Sequence, residues 1–586
     1  MSRLDNTLVH LAPGVGSCRD LEGRYNPRRG LAIYYLPVPD YVPSSPGLVL
    51  GEALAARSGL GCVLLEGVPH KIPEGAALIA RYGDLKAVRP DLLENVPELT
   101  EPGQYAIKLD RSALVVSPSP EGLSSGMQTL AMLVLRYNEE PVIPGCVIVD
   151  APFCRSRCLA VELHPGEITL ALLMQIASFA ATFKANRLHI ILPEKFHPGR
   201  NIPGADTFAQ ACRSFGMEIG VRMPLLRQAL ADGKGLAATW KTLRAAARVF
   251  GATQIALDDP CPEDADPAMA RRIAQSAIDG DAAARRVFLD AALLAKSGCP
   301  PQAMRAAGVR GWHRIRTGEE AGQPPSGPDG VPFVVDVEAP VSGFTSRTMD
   351  RLFHALDRAA EWLRPHQGRG MCVSFRNIGV SHIWQNLLYP SATGLIAAWG
   401  APMPAEEAGL RFSNLLYGDL GRPVMDMWEA IARAFPSGLS AGDEQLVRRA
   451  AFGEWPESDA ARATLSGIDW PTATRNIRVA ADALKSIASG LQRNAGTLTG
   501  ARLSLYALSW LHCFVALVPE LERRRLAGDG GDGRTGPIAA ELLANFRSWE
   551  TQVRGLSAES GLEFVETRQI EMLGARLKEL CEGIAG

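Results

Sequence analysis

Two adjacent carboxylates, Asp258 and Asp259, stand before Pro260 at the end of the apolar run Gln254-Ile-Ala-Leu257. Neighbouring side chains in a regular strand point to opposite faces, but at a strand end, where Pro260 forbids another ladder hydrogen bond, both can turn into one pocket. Two carboxylates held close do not ionise equally. One pKa rises, which suits general-acid work near neutrality beside a partner that stays anionic. The same residues also make an ordinary solvated turn that caps the next segment, and spacing alone leaves both readings open. Four other runs end in polar groups: Glu162 and His164, then Glu194-Lys195, then Asp336 and Glu338, then Ser374-Phe375-Arg376-Asn377. Trp399 closes a further run, Gly394–Trp399. Carboxylates, an aromatic platform, amides and cations arriving together suit a carbohydrate pocket.

Metal and cofactor signals are missing from the pattern. Cys154 and Cys158 have no second Cys/His pair at zinc-site spacing, and His164, His189, His313 and His382 share no ligand spacing. His189, between Leu188 and Ile190 in an apolar run, reads as a lining residue with satisfied hydrogen bonds. No nucleophile elbow, P-loop or His-Glu-x-x-His is present. The expectation is therefore no metal and no cofactor. The eleven cysteines are an odd number, which favours reduced, mostly buried thiols.

The elements that must position these groups alternate. Apolar strand-like runs at Cys158–His164, Arg187–Pro193, Glu218–Pro224 and Gln254–Pro260 are separated by helical periodicity over 168–183, 205–215 and 236–250. This spacing implies parallel strands with crossover helices. The pattern blurs over 265–330, where the fifth strand falls near Val287–Leu289 or Val309–Ile315, and returns with Val331–Val337, a helix over 346–363, Met371–Arg376 and Gly394–Trp399. Eight such strands predict a (β/α)8 barrel over 146–403, whose chemistry belongs at the strands' C-terminal ends. No Gly-x-Gly-x-x-Gly follows the first strand, against a dinucleotide-binding sheet.

Residues 1–145 read as a small α/β domain. Strands are expected at Leu31–Leu36, Gly61–Glu66 and Ala77–Ala80, a hairpin at Tyr105–Leu109 and Ala113–Val116, and a helix over Glu121–Arg136, with Pro141–Pro152 as a linker. Residues 404–586 read as an all-α bundle, with periodic stretches near 405–417, 423–434, 473–493, 501–526, 537–554 and 560–583. The loop Gly528–Gly533 lacks the bidentate Glu of a calcium site and reads as a helix connection. A net charge of −2, with 47% hydrophobic and 21% charged residues, excludes wholesale disorder and a nucleic-acid surface spread over the whole chain. No apolar run reaching a membrane span is expected, and the polar start Met1–Asn6 suggests a cytoplasmic chain.

The junction of the first two regions resembles the hexosaminidase superfamily of glycoside hydrolases. Gly103-Gln-Tyr-Ala-Ile-Lys-Leu109, then Glu121-Gly-Leu-Ser-Ser-Gly-Met-Gln-Thr-Leu130, look like the end of that superfamily's N-terminal domain. Val147-Ile-Val-Asp150-Ala-Pro152, Arg157-Cys-Leu-Ala160 and Phe183-Lys184-Ala185-Asn186 follow in the same order. Within it the pattern is similar to glycoside hydrolase family 84, the β-N-acetylglucosaminidases related to O-GlcNAcase. The resembling segments are Ile255-Ala-Leu-Asp258-Asp259, Phe375-Arg-Asn377-Ile-Gly-Val-Ser-His382 and Ala401-Pro402-Met403 with Glu406-Glu407. Family 20 has Asp-Glu where this chain has Asp-Asp.

That resemblance implies substrate-assisted, retaining hydrolysis of GlcNAc- or GalNAc-type residues through an oxazoline. By position, Asp258 orients the acetamido N–H and Asp259 is the general acid and base. Asn377 hydrogen-bonds the sugar, and Trp399 stacks on it or closes the barrel floor. Glu162, Phe375, Glu194, Lys195 and His382 complete the candidate sugar contacts. This chain departs from the family where Val161-Glu162-Leu163-His164 replaces Gly-Phe-Tyr-Gly and Glu194-Lys195-Phe196 replaces Lys-Asp-Asp. His382 replaces the Asp that grips outer hydroxyls, and Ala401 an Asn. These changes imply an altered sugar preference. The alternative is a catalytically inactive scaffold that binds carbohydrate or protein. The expected partner is a carbohydrate or glycoconjugate, with no nucleic acid and no membrane, and with homo-oligomerisation through the helical region.

Overall fold

The computed structural model describes residue 11 and residues 15–27, 31–37, 62–136, 142–162, 170–192, 204–224, 234–258, 266–279, 286–316, 333–339, 346–363, 370–375, 421–434, 470–490, 499–527, 535–560 and 567–585, with scattered positions between 395 and 420, between 446 and 469 and at 565. Asp259, Glu194, Lys195, Asn377 and His382 lie outside the described residues, as do His164 and the Gly528–Gly533 loop.

A seven-stranded sheet comes first. Its strands are β1 (Ser17–Tyr25), β2 (Leu31–Tyr35), β3 (Cys62–Glu66), β4 (Ala77–Arg81), β5 (Tyr105–Leu109), β6 (Ala113–Ser117) and β7 (Ile143–Asp150), in the order β1-β7-β5-β6-β4-β2-β3. Helix α1 (Tyr82–Val88) follows β4, and α2 (Pro120–Arg136) lays Leu123, Met127 and Leu130 against Tyr105, Ile107 and Val115. Close approach is possible because Gly126 carries no side chain; a Cβ there would lie 2.7 Å from Val115 Cγ1. The 141–152 stretch is no linker. β7 pairs antiparallel with both β1 and β5. Pro144 and Gly145, which read as breakers, sit opposite a register shift in β1 between Asp20 and Arg24, a bulge that accommodates the missing donor and the missing side chain.

Eight parallel strands then close a barrel. They are β8 (Ser156–Glu162), β9 (Arg187–Ile191), β10 (Glu218–Pro224), β11 (Gln254–Asp258), β12 (Arg286–Asp290), β13 (Val309–Arg316), β14 (Phe333–Ala339) and β15 (Gly370–Phe375). Between or beside them run α3 (Leu170–Thr182), α4 (Ala205–Ser214), α5 (Lys234–Val249), α6 (Pro267–Asp279), α7 (Ala291–Ser297), α8 (Pro301–Ala306) and α9 (Ser346–Leu363). Both candidates for the fifth strand are strands, β12 and β13, so Val331–Val337 falls in the seventh and Met371–Arg376 in the eighth. β15 closes directly on β8, with Cys372 opposite Cys158 and Ser374 opposite Ala160. That leaves no place for a strand at Gly394–Trp399, whose described residues are helical up to Trp399.

Contacts gather the sheet and the barrel strands into one compact unit, and the helices from Leu416 onward, together with Ser346–Leu352 at the start of α9, into a second. The second unit contains α10 (Gly421–Ala434), α11 (Trp470–Gly490), α12 (Thr499–Ala527), α13 (Thr535–Ser560) and α14 (Thr567–Ala585). Among the described residues one helix is long and apolar enough to cross a membrane, contrary to the sequence expectation: Ala501–Arg524 of α12, with mean hydropathy 1.5 in a window that is 56% buried. Its composition follows from its neighbours. Trp510, Phe514, Val518 and Leu521 join the α13 and α14 core, Ala501, Leu505 and Leu508 pack with α10 and α11, and Ala507 and Leu511 meet Ala450, Ala451 and Leu465. A helix covered on three faces must be apolar nearly all round.

Candidate active site

Alternation along the strands decides which side chains enter the barrel. Cys158, Ala160, Ile191, Ala256, Phe288, Trp312, Val334 and Cys372 form one lumen cluster. Residues two positions on, toward the C-terminal ends, are therefore also internal: Glu162, Asp258, Arg314, Asp336 and Ser374. Phe375, 1% exposed, lies on the opposite face, away from the lumen, and cannot line a sugar pocket there. His313 also points outward, its ring 6.2 Å from that of Trp362 on α9.

The lumen is threaded by a polar column. Low in the barrel, Gln254 donates to Glu218 and faces His189 Nε2 at 2.9 Å. Arg222 Nε donates to His189 Nδ1 at 3.0 Å, so the ring proton sits on Nε2 and His189 is a satisfied lining residue, as its position in β9 implied. Gly220 makes room for this ring, since a Cβ there would sit 2.2 Å from it. Arg222 also donates to Asp336 Oδ2 at 2.7 Å and stacks over Trp312, its Cζ 4.4 Å from the ring centroid. Burial opposes the charge on both Arg222 and Asp336, but their mutual attraction outweighs it: the guanidinium pKa is raised, and Asp336, with Arg314 also near, is lowered.

Above this pair lies the candidate site. Asp258, fully buried at the C-terminal end of the fourth barrel strand, accepts a hydrogen bond from Arg314 Nη2 on the sixth. Arg314 Nε is 3.5 Å from Glu338 Oε2 on the seventh, and the Glu338 side chain is 21% exposed. Glu162, partly exposed, ends the first strand on the same inner face. The structure thus brings Asp258, Glu338 and Glu162 to one end of the barrel. Arg314 was missed in the sequence. Its signal was the alternation Arg310-x-Trp312-x-Arg314, which puts these side chains on one face of a strand.

Trp399 belongs to the other end. Its Nε1 donates to Asp150 Oδ2 at 2.8 Å, and its carbonyl accepts from Phe153 N at 2.7 Å. Its ring is fully buried, and the barrel strand it was expected to end is supplied by β15 instead. Around it the residues that carried the family resemblance converge. Asp150 Oδ2 also accepts from Tyr105 Oη at 2.7 Å and Lys184 Nζ at 3.1 Å, while Oδ1 accepts from the Gly16 and Ala151 amides, each at 3.0 Å. Lys184 Nζ and Arg157 Cζ lie 4.2 and 4.6 Å from the Trp399 ring. Arg157 donates to Glu121 Oε1 at 2.6 Å, Lys184 O at 2.8 Å and Cys154 O at 2.7 Å. Asn186 accepts from the Arg157 amide at 2.8 Å. Burial pulls the Lys184 ammonium down to about 8 against the pull of Asp150, and pushes Tyr105 well above its ordinary range.

No group of three or more His, Cys, Asp or Glu side chains among the described residues is arranged to hold a metal ion. The described cysteines are free thiols.

No family model matches the chain, and no curated protein matches it. Solved structures share its fold. CpGH84B superposes with a TM-score of 0.53 at 11% identity over 97% of this chain and 100% of that one. The GH20 β-N-acetylhexosaminidase of Streptomyces coelicolor gives 0.52 at 12% identity, covering 69% of this chain and 94% of its own. A β-N-acetylhexosaminidase of Bacteroides fragilis gives 0.51 at 12% identity, covering 71% and 95%. The chain thus shares the fold of these three solved structures at 11–12% sequence identity.

Proposed function

We propose that the chain is a retaining glycosidase acting on 2-acetamido sugars of the GlcNAc or GalNAc type, at the C-terminal end of its barrel. The observation that carries this reading is Asp258: a carboxylate on the inner face at the end of the fourth strand, hydrogen-bonded by a guanidinium and followed at once by a second Asp. On this reading the carboxylate bonded by Arg314 is the anionic partner, since a guanidinium beside a carboxylate favours its charged form. That suits the group that orients and polarises an acetamido N–H, and leaves Asp259 as the proton donor. In the reaction the acetamido carbonyl oxygen attacks C1 while the glycosidic C1–O bond breaks and Asp259 protonates the departing oxygen. Water, deprotonated by Asp259, then opens the oxazoline with net retention. Glu162 and Glu338 are acceptors for sugar hydroxyls, and Asn377, Lys195, Glu194 and His382 remain sugar contacts on this reading. The fold shared with structures named β-N-acetylhexosaminidases supports the substrate class.

The test is hydrolysis of aryl β-GlcNAc and β-GalNAc by wild type, Asp258→Ala and Asp259→Ala. Activity lost in both variants, with azide restoring turnover of an activated substrate in Asp259→Ala, is expected. Absence of wild-type turnover overturns the enzymatic reading. Binding of a thiazoline analogue without turnover would then identify a sugar-binding scaffold.

A further inference from the structure

Two identical neighbours, Asp258 and Asp259, are asked to do opposite things, one to stay ionised and the other to carry a proton. Sequence gives no asymmetry between them, so it must come from what packs against them. We propose that Arg314 is the positioning residue that supplies it, fixing Asp258 as the anionic, acetamide-orienting group and tying Glu338 to the same assembly. This rests on the glycosidase reading above.

The geometry separates Arg314 from an ordinary surface ion pair. Its side chain is 6% exposed and that of Asp258 is 0%, so the interaction is weakly screened. The guanidinium is a rigid planar fork: Nη2 is directed at Asp258 and Nε faces Glu338 at 3.5 Å. Its reach to two strands, a hydrogen bond to Asp258 and a longer ion pair to Glu338, is one that a lysine's single ammonium cannot reproduce. Among the described residues the charged groups around Arg314 are Asp258 from β11, Asp336 and Glu338 from β14 and, beyond Asp336, Arg222 from β10, while Glu162 ends β8 on the same inner face. Asp336 is already engaged from below by Arg222 at 2.7 Å, which leaves Arg314 to the two upper carboxylates. Among the described side chains the column under the site pairs opposite charges in turn, Arg222 with Asp336 and Arg314 with Asp258.

The experiment compares wild type, Arg314→Lys and Arg314→Met in two readouts. The first is the ionisation of Asp258, followed by difference infrared spectroscopy of the carboxylate band against Asp258→Asn in each background. The second is the acid limb of kcat/KM for an aryl 2-acetamido glycoside. In Arg314→Met, Asp258 should titrate higher by about one to three pH units. The acid limb should move with it and kcat should fall more than KM rises, while Arg314→Lys should retain the titration but recover only part of kcat. Should Arg314→Met not fold, Arg314→Lys carries the test: a kcat equal to wild type means the fork geometry is dispensable. An unmoved Asp258 titration in folded Arg314→Met overturns the proposal even if wild type is active. A shifted titration with no wild-type turnover instead overturns the glycosidase reading and leaves the hold on Asp258 standing.

Discussion

The two ends of the barrel are built from the same kinds of residue and to different ends. At the floor, Asp150 receives five hydrogen-bond donors and its oxygens are fully engaged by Tyr105, Lys184, Trp399 and two amides. At the mouth, Asp258 is held by Arg314, beside a partly exposed Glu338. A carboxylate that receives five donors from its own chain is an anchor; one beside further acids at the C-terminal ends of the strands is the group that the proposed reaction uses. The floor joins the sheet to the barrel, and the mouth is the end at which we propose that the sugar binds. Buried acid–base pairs are therefore not equivalent signs of function, and depth along the strand axis tells them apart.

That contrast is sharpest under substitution. The largest effect is expected at the mouth: Asp258→Asn keeps an acceptor for Arg314 yet removes the anion, so turnover of an aryl 2-acetamido glycoside should drop about 10²–10⁴-fold. Its melting temperature should stay close to wild type, and an unfolded variant would erase the distinction between the two ends. At the floor, Asp150→Ala strands Lys184 and four other donors, and urea titration should show a loss of about 3–5 kcal/mol. KM of the folded fraction should not move. Trp399→Phe keeps an aromatic ring over Lys184 and Arg157 but deletes the indole donor, with an expected loss of about 1.5–3 kcal/mol and an unchanged KM. A raised KM at full stability would return Trp399 to the sugar.

The smallest effect is a pH dependence. Folded Lys184 gives up its proton at about 8, against roughly 10.4 in an unfolded chain. Between those values the unfolded state binds more protons, so the contribution of Lys184 to stability rises with pH. Tyr105 opposes this only above its ordinary titration range, where the folded state keeps the proton. Subtracting the melting profile of Lys184→Met from that of wild type between about pH 8 and about pH 10 should give a difference that grows in favour of wild type. A flat difference would mean that Lys184 keeps one charge state across the window.

Much of this arrangement is legible in the sequence, for identifiable reasons. Helix α9 matches the residues 346–363 expected from periodicity because Ala355, Leu356, Ala359 and Leu363 make one buried stripe. The strand carrying Asp258 is legible because the short run Gln254-Ile-Ala-Leu257 ends at two acids and a proline. Three features are not. β7 hides behind Pro144-Gly145, breakers that a bulge in the partner strand neutralises, and no local signal reveals a partner strand more than a hundred residues away in β1. Trp399 looks like the end of a strand until β15 is seen to pair with β8, a contact between the first and last barrel strands that no window on the sequence spans. Arg314 sits in the one stretch where the rhythm fails, because two strands there are joined through the short helices α7 and α8 instead of one long crossover.

Helix α12 has a consequence for how the chain is made. It is translated before α13 and α14, the two helices that supply one side of its coat, Leu542, Phe546, Trp549, Val553, Leu573 and Leu577. For as long as a ribosome takes to add them, Trp510, Phe514, Val518 and Leu521 face water on a segment greasy enough to pass for a membrane anchor. The nascent chain at that stage is a natural client for holding chaperones, and any message that stops between α12 and α14 should yield an insoluble product even though the sheet and barrel are complete.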